Sequence, residues 1–518
     1  MRFNSYEFLF AFLPITFAGF FLFGKWSRDA AAVWLSLSSL FFYAYGDRNA
    51  LPLLSLSIVC NYWLSSKLNS TSQRTENRRK LLIYIAVGSN LVVLAIFKYP
   101  NFIIRTANYF LSGFRFTNLP EVNINLPVGI SFFTFTQIAF LVDSYQRKVR
   151  ERKFVHYALF VTYFPHLVAG PILHHSQMMP QFAHASTYRI NFKRIALALV
   201  AFTIGLAKKV ILADWIGQYS DLLFRNLSHG ITPTLLNSWT GSLAYTFQIY
   251  FDFSGYSDMA VGLSLLFGVV LPINFNSPYK ATNIIDFWRR WHITLSAFLR
   301  DYLYIPLGGN RYGDVRRYIN LVITMLLGGL WHGANWTFVL WGAFHGALLS
   351  IDHGWRKLLT NSRNKPSRMP ALLAWPITFF SVVFSWVLFR SGSLQQSGAI
   401  YRGMLGLNGI QLPVPMAGRF PVLQRFQFVA FKGIWNESIP VGMSASEGFL
   451  LIFLCLAICL FLPNTADLIG TDIVLDHGDS ARRTPIFRRC ALAFGLGFLF
   501  VITLLSLHHA TRFIYFQF

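Results

Sequence analysis

The sequence predicts an all-α, polytopic integral membrane protein, and three observations carry that reading. Of the 518 residues 54% are hydrophobic. Only 13% are charged, about half the share of a soluble domain. The apolar residues fall in runs of membrane-spanning length, roughly 17 to 25 residues, or somewhat shorter. The net charge of +24 arrives in bursts between those runs. That is the mark of cytoplasmic loops, and no soluble basic domain is present that would bind nucleic acid.

In chain order, apolar runs cover 6–23, 30–45, 51–66, 81–97, 126–145, 154–173 and 195–216, then 236–249 and 259–270. A pair at 321–330 and 337–349 is interrupted around His332, and the last runs are 372–389, 449–462 and 491–507. These make about eleven to thirteen transmembrane or re-entrant helices. Several are broken by Gly, Pro or charge, as expected of helices buried around a cavity. The first run has no small-x-small cleavage site after it and reads as a retained helix. No internal repeat, heptad or low-complexity tract is visible, and the whole of 1–518 reads as one domain. Its core is at about 126–352.

Basic clusters at Lys67–Lys80, Arg147–Lys153 and Arg356–Arg368 define a cytoplasmic side, with Arg482, Arg483, Arg488 and Arg489 marking a last inside loop. The N-terminus, the segment 391–447 and the C-terminus then lie outside. Residues 154–173 either cross or re-enter, so His174 and His175 fit either face. The four cysteines sit in or beside apolar runs and read as inert buried thiols.

Chemistry concentrates between Asn283 and Trp336. Ile284, Trp288, Trp291, Leu295, Phe298 and Tyr302 share one face of a predicted helix whose other face carries Asp286, Arg289, Arg290, Arg300 and Asp301, with His292 at the edge of the stripe. Next comes an apolar helix that passes Gly328-Gly329 and breaks at Trp331-His332-Gly333, with Asn335 and Trp336 close behind. An ionisable residue at a break within a membrane defaults to a functional site. His332 has the setting of a neutral imidazole able to take a proton from a hydroxyl, or of a core histidine bonded to a carbonyl. The spacing of His332, His345 and His353 matches no standard ligand set, so no metal is expected. Asp252 and Asp258 flank a predicted break at Ser254-Gly255-Tyr256, where the carboxylates brace the break or line a substrate path. Arg289, Arg290 and Arg311 hold phosphates from the cytoplasmic side or serve only as positive-inside anchors.

The stretches PVGISFFTFTQ (127–137), YFPHLVAGPI (163–172), YFDFSGYSDMAVGL (250–263), FWRRWHITLSAFLRDYLYIPLGGNR (287–311) and LLGGLWHGANWTFVLWGAFHG (326–346) resemble the membrane-bound O-acyltransferase (MBOAT) family, in its bacterial polysaccharide branch. The resemblance implies a helical fold around a central tunnel in the bacterial inner membrane. In it His332 is the catalytic histidine and His292 the second motif position, with Trp331, Asn335 and Trp336 beside them. It also implies acetyl-CoA as donor substrate with no permanently bound cofactor. The implied partners are membrane lipids, a polysaccharide export complex and an extracytoplasmic SGNH-type acetyltransferase that modifies a polymer such as alginate, cellulose or peptidoglycan. A transporter or flippase without covalent chemistry, or a scaffold for an export complex, are the alternatives.

Overall fold

A computed structural model describes residues 1–69, 76–112, 118–363, 369–414, 416–432, 444–470, 486–509, 511, 513 and 514. Arg74, Lys365, Arg368, Arg482 and Arg483 lie outside the described residues. The chain is helical, and the strand pairing among the described residues is two residues long, Ile410–Gln411 beside Val429–Ala430. Four helical stretches are long and apolar enough to cross a membrane: Phe8–Trp26, Glu76–Lys98, Phe192–Ser228 and Ala371–Arg390. The other predicted runs also form helices, but these are shorter, more polar or broken.

Six helices open the fold: α1 (Leu13–Trp26, entered through a π-turn at Phe8–Phe12), α2 (Arg28–Gly46), α3 (Leu51–Asn69), α4 (Glu76–Lys98), α5 (Pro100–Leu111) and α6 (Ile130–Tyr145). The turn between α1 and α2 is closed by Ser27, whose side chain accepts from Ala30 N and so satisfies one of the unpaired amides of the first turn. Contacts sort their ends. Tyr145 Oη donates to Glu76 Oε1 at 2.5 Å, and Lys153 Nζ reaches Asp29 Oδ1 at 2.9 Å, which gathers the loops after α1, α3 and α6 at one basic end. At the other end Asp47 Oδ2 accepts from Val128 N at 3.1 Å.

The middle of the chain decides one open question and corrects two expectations. Residues 154–173 do not form one rod. α7 (Phe154–Thr162) stops at Tyr163, and a single turn, α8 (Phe164–Leu167), precedes an extended return to His174, which lies 2.8 Å from Asp143 in the last turn of α6. The segment begins and ends at the basic end, so it re-enters. Pro165 has no amide to donate, and Gly170 lies so close that an added Cβ would meet His166 Cα at 2.3 Å.

After α9 (His175–Ala183), α10 (Phe192–Ala207) and α11 (Asp214–Ser228) comes α12 (Leu235–Leu266), 32 residues without interruption. The expected break at Ser254-Gly255-Tyr256 is absent. Gly255 instead lets the helix approach its neighbour, because a Cβ there would stand 2.6 Å from Gly205 O. A buried helix needs no solvent-facing stripe, so α12 carries buried polar residues on every side without a break.

The stretch 284–302 is likewise not one helix. α13 (Ile284–Arg290) ends at Trp291, and α14 (Ile293–Leu299) starts after His292, whose φ of +43° is left-handed; a π-turn at Arg300–Tyr304 follows. Apolar residues on both sides of a kink keep helical spacing, so periodicity could not reveal it. The hairpin of α15 (Gly313–His332) and α16 (Trp336–Arg363) matches the predicted helix, break, helix. It packs tightly because glycines face carbonyls: a Cβ on Gly342 would lie 2.2 Å from Met325 O. Then come α17 (Ala371–Arg390) and α18 (Leu394–Met404), the single turn α19 (Met416–Arg419), α20 (Ala445–Phe461), α21 (Thr465–Ile469) and α22 (Ile486–Leu505).

Candidate active site

Two helix breaks meet in the interior. His332 is the last residue of α15 and His292 the N-cap residue of α14. Both are buried, at 5% and 0% exposure, and their ring centroids are 6.5 Å apart. Trp331 at 4.8 Å, Trp341 at 5.2 Å and Phe389 at 5.2 Å enclose the His332 ring, and Phe253 stands edge-on to His292 at 4.8 Å. The result is a buried aromatic cluster around two imidazoles.

Each break has a clamp that the sequence reading missed. Beside His292, Asn274 Oδ1 accepts from Thr294 Oγ1 at 3.0 Å and lies 3.0 Å from His292 Nδ1. An oxygen that is already accepting fixes Nδ1 as the protonated nitrogen and leaves Nε2 as the basic one. The backbone joins in: Ile293 N donates to Asn274 O at 3.0 Å, and Asn276 N to Arg290 O at 2.9 Å. Holding a non-glycine residue in the left-handed region costs about 1–3 kcal/mol, a cost met by this clamp. The signal in the sequence was a polar Asn274 between apolar neighbours, without a partner that spacing could name.

Beside His332, Lys98 at the far end of α4 donates to the carbonyls of Trp331 and, at 3.3 Å, His332, and to Ser131 Oγ at 3.2 Å. The last turn of a helix exposes carbonyls with no intrahelical partner, and an ammonium there satisfies them and suits the negative end of the helix dipole. α4 begins at the basic end and runs 23 residues, about 35 Å at 1.5 Å per residue, so the Lys98 contact places His332 toward the opposite end. Trp331 stacks on Phe135 at 5.0 Å.

The remaining predicted residues scatter. Asn335 holds the break: its Nδ2 donates to Gly392 O at 2.8 Å and its Oδ1 accepts from Thr337 N at 3.1 Å. Trp336 turns outward, 46% exposed, with Nε1 on Thr106 Oγ1 at 3.1 Å. Asp252 pairs with Lys209 at 2.7 Å and Asp258 with Lys208 at 2.7 Å, while Ser254 is buried in α12 between them. With α12 unbroken there is no break to brace, and the two carboxylates instead tie α12 to the turn that follows α10. Arg289 and Arg311 are exposed, and Arg290 pairs with Asp286 at 2.9 Å. His345 packs on Trp341 at 4.8 Å and bonds Ser385 Oγ at 3.0 Å.

Comparison with protein families matches residues 40–394 to MBOAT, the membrane-bound O-acyltransferase family. The chain belongs to this family. It is 43% identical over 439 residues to the peptidoglycan O-acetyltransferase of Helicobacter pylori, covering 80% of this chain and 81% of the relative. It is 41% identical over 413 residues to the probable alginate O-acetylase AlgI of Pseudomonas aeruginosa, with coverages of 80% and 76%. The teichoic acid D-alanyltransferase of Bacillus subtilis is more distant, 27% identical over 279 residues, covering 52% of this chain and 70% of the relative. This multi-pass membrane protein is therefore an acyltransferase, and both histidine breaks lie inside the matched region. An activated acyl donor leaves an acyltransferase three tasks: to hold the donor, to take the proton from the attacking nucleophile and to stabilise the oxyanion.

Proposed function

We propose that this acyltransferase takes acetyl groups from acetyl-CoA at the cytoplasmic face of a bacterial inner membrane and passes them, through a tunnel that meets at His332, to an acceptor on the outer face. That acceptor is a separate extracytoplasmic SGNH-type acetyltransferase working with a polysaccharide export complex, and the polymer is an exported polysaccharide: alginate, peptidoglycan or cellulose. The observation that carries the reading is the buried His332–His292 pair at 6.5 Å, built on two helix breaks. The relatives named for acetylation of peptidoglycan and of alginate support the acetyl group and polymer class equally, and do not choose between polymers.

In the proposed step, His332 accepts the proton of the acceptor hydroxyl as its oxygen attacks the thioester carbonyl. A C–O bond forms and the C–S bond breaks. The proton passes to the departing thiolate, giving the ester and free coenzyme A. His292, with Nε2 as its basic nitrogen, orients the reacting groups. Trp331, Trp341 and Phe389 crowd His332, which favours a short acyl chain and the exclusion of water. At the outer end, Arg390 follows Phe389 and lines a cleft of about 510 Å³ with Asp221, Arg225, Gln248 and Gln396, a polar mouth suited to a hydroxyl-bearing acceptor.

The test is release of coenzyme A from acetyl-CoA by the purified protein, given its extracytoplasmic partner or a hydroxyl acceptor. Release that depends on His332 is expected. A protein that binds or moves acetyl-CoA without releasing coenzyme A would instead be a transporter or scaffold.

A further inference from the structure

Away from the histidine pair, at the basic end, three elements bring their polar side chains to one point. Asp143 comes from the last turn of α6, His174 and His175 from the start of α9, and Tyr302 from the π-turn after α14. Around Asp143 Oδ2 lie His174 Nε2 at 2.8 Å, His175 Nδ1 at 3.1 Å and Tyr302 Oη at 2.8 Å; Tyr302 Oη is also 2.6 Å from His174 Nε2. One ligand atom from each of Asp143, His174 and His175 falls within 4.8 Å of the others.

Two details argue that this is more than a hydrogen-bond network. His175 is 4% exposed, and its Nδ1 stands 3.1 Å from Asp143 Oδ2, off the line of a regular hydrogen bond. A buried ring nitrogen that faces a carboxylate off the hydrogen-bond line, with a second imidazole on the same oxygen, is placed as a metal ligand is. His174, in turn, has Nδ1 on Ser176 Oγ at 2.7 Å, which fixes the ring with Nε2 toward the cluster, the usual arrangement for a liganding imidazole.

We propose that Asp143, His174 and His175 form a divalent metal site of the zinc class. Two imidazoles and one carboxylate suit Zn²⁺ or Co²⁺, whereas Mg²⁺ and Ca²⁺ prefer all-oxygen sets. Ligand atoms around a tetrahedral zinc stand about 3.3 Å apart, from bonds of about 2.0 Å, so the two histidine–carboxylate spacings of 2.8 and 3.1 Å need to open by only a few tenths of an ångström. The His174 side chain is 34% exposed, which leaves an entry path and a fourth position for water or Tyr302 Oη.

The ion ties the end of α6 to the start of α9, and α9 is coupled to the active site. Ile172 N, two residues before His174, donates to Thr294 Oγ1 at 3.0 Å, and Thr294 donates to the Asn274 carbonyl that holds His292. The metal is thus a staple on the His292 clamp rather than a participant in acyl transfer. Sequence spacing could not show it, because Asp143 and His174 lie 31 positions apart on different helices.

The experiment uses the full chain in detergent, carrying an affinity tag without histidines, stripped with chelator and then equilibrated with Co²⁺ as probe. The wild type is expected to bind one Co²⁺ per chain, with visible d–d absorption that Zn²⁺ displaces and with a higher thermal unfolding midpoint when metal is restored. Losing a ligand costs at least the tenfold or so that losing an outer-shell partner costs, so His174→Ala and His175→Ala should each weaken Co²⁺ binding by about tenfold or more and abolish the thermal response. Should His175→Ala not fold, His174→Ala, at the partly exposed residue, decides alone. A wild type without the cobalt spectrum, or a spectrum retained in His174→Ala, overturns the proposal.

Discussion

Removing the Lys209 ammonium is the sharpest test of how the core is held. Lys209 is 1% exposed and lies 2.7 Å from Asp252 and 2.8 Å from Asp214, themselves 1% and 8% exposed. The far end of the chain is threaded into the same network: Thr511 Oγ1 bonds Asp214 Oδ1 at 2.6 Å and Ile514 N donates to Asp252 Oδ2 at 3.0 Å. Lys209→Met keeps the aliphatic bulk but leaves two carboxylates buried without their cation. Breaking a buried pair on one side costs about 3–5 kcal/mol, a large fraction of the roughly 5–15 kcal/mol that holds a typical folded domain. The triple variant Lys209→Met, Asp252→Asn, Asp214→Asn removes every charge together, and such replacements are often near neutral, so most of the loss should return. The assay is thermal unfolding of the purified protein in detergent, read beside coenzyme A release per folded molecule. A Lys209→Met variant within about 1 kcal/mol of wild type would refute the reasoning. A triple variant that recovers stability but has no activity would make Asp252 part of the substrate path after all.

Four further outcomes follow from the site. His332→Ala should lower coenzyme A release by about 10²–10⁴-fold, the span of a lost general base, with unchanged elution on size exclusion; activity within a few fold of wild type would remove His332 from the chemistry. Asn274→Ala should lower activity by loosening the His292 ring while leaving it in place, so it should cost less than His292→Ala; equal losses would mean that Asn274 acts through folding. Gly342→Ala drives a methyl to within 2.2 Å of Met325 O, and overpacking of that kind costs about 1–3 kcal/mol and parts the hairpin that ends in His332, so unfolding midpoint and activity should fall together. Acetyl-CoA should be turned over far better than palmitoyl-CoA, since the rings 4.8–5.2 Å from His332 leave little space for a long chain; preference for palmitoyl-CoA would reassign donor and acceptor alike.

The sequence by itself determined the class of molecule. Apolar runs and basic bursts are one-dimensional quantities set by the bilayer's thickness and charge asymmetry, so an all-α membrane fold could be read without coordinates. The break at His332 was legible for a related reason: Gly-rich, ionisable residues inside an apolar run are costly unless the backbone does something special there. Only the tertiary structure decided what those residues meet. His292 shifts from the edge of a stripe to the centre of a kink because Asn274 and Asn276, well before it in the chain, bond across the gap. Lys98, more than 230 residues upstream, reaches the turn that ends in His332, and Trp336, three residues after Gly333, turns away from it. α12 looked broken because its carboxylates had no visible partners, and Lys208 and Lys209 supply them from another helix. Pairing of buried polar groups is satisfied through space by whichever element packs alongside, and periodicity along the chain carries no record of that choice.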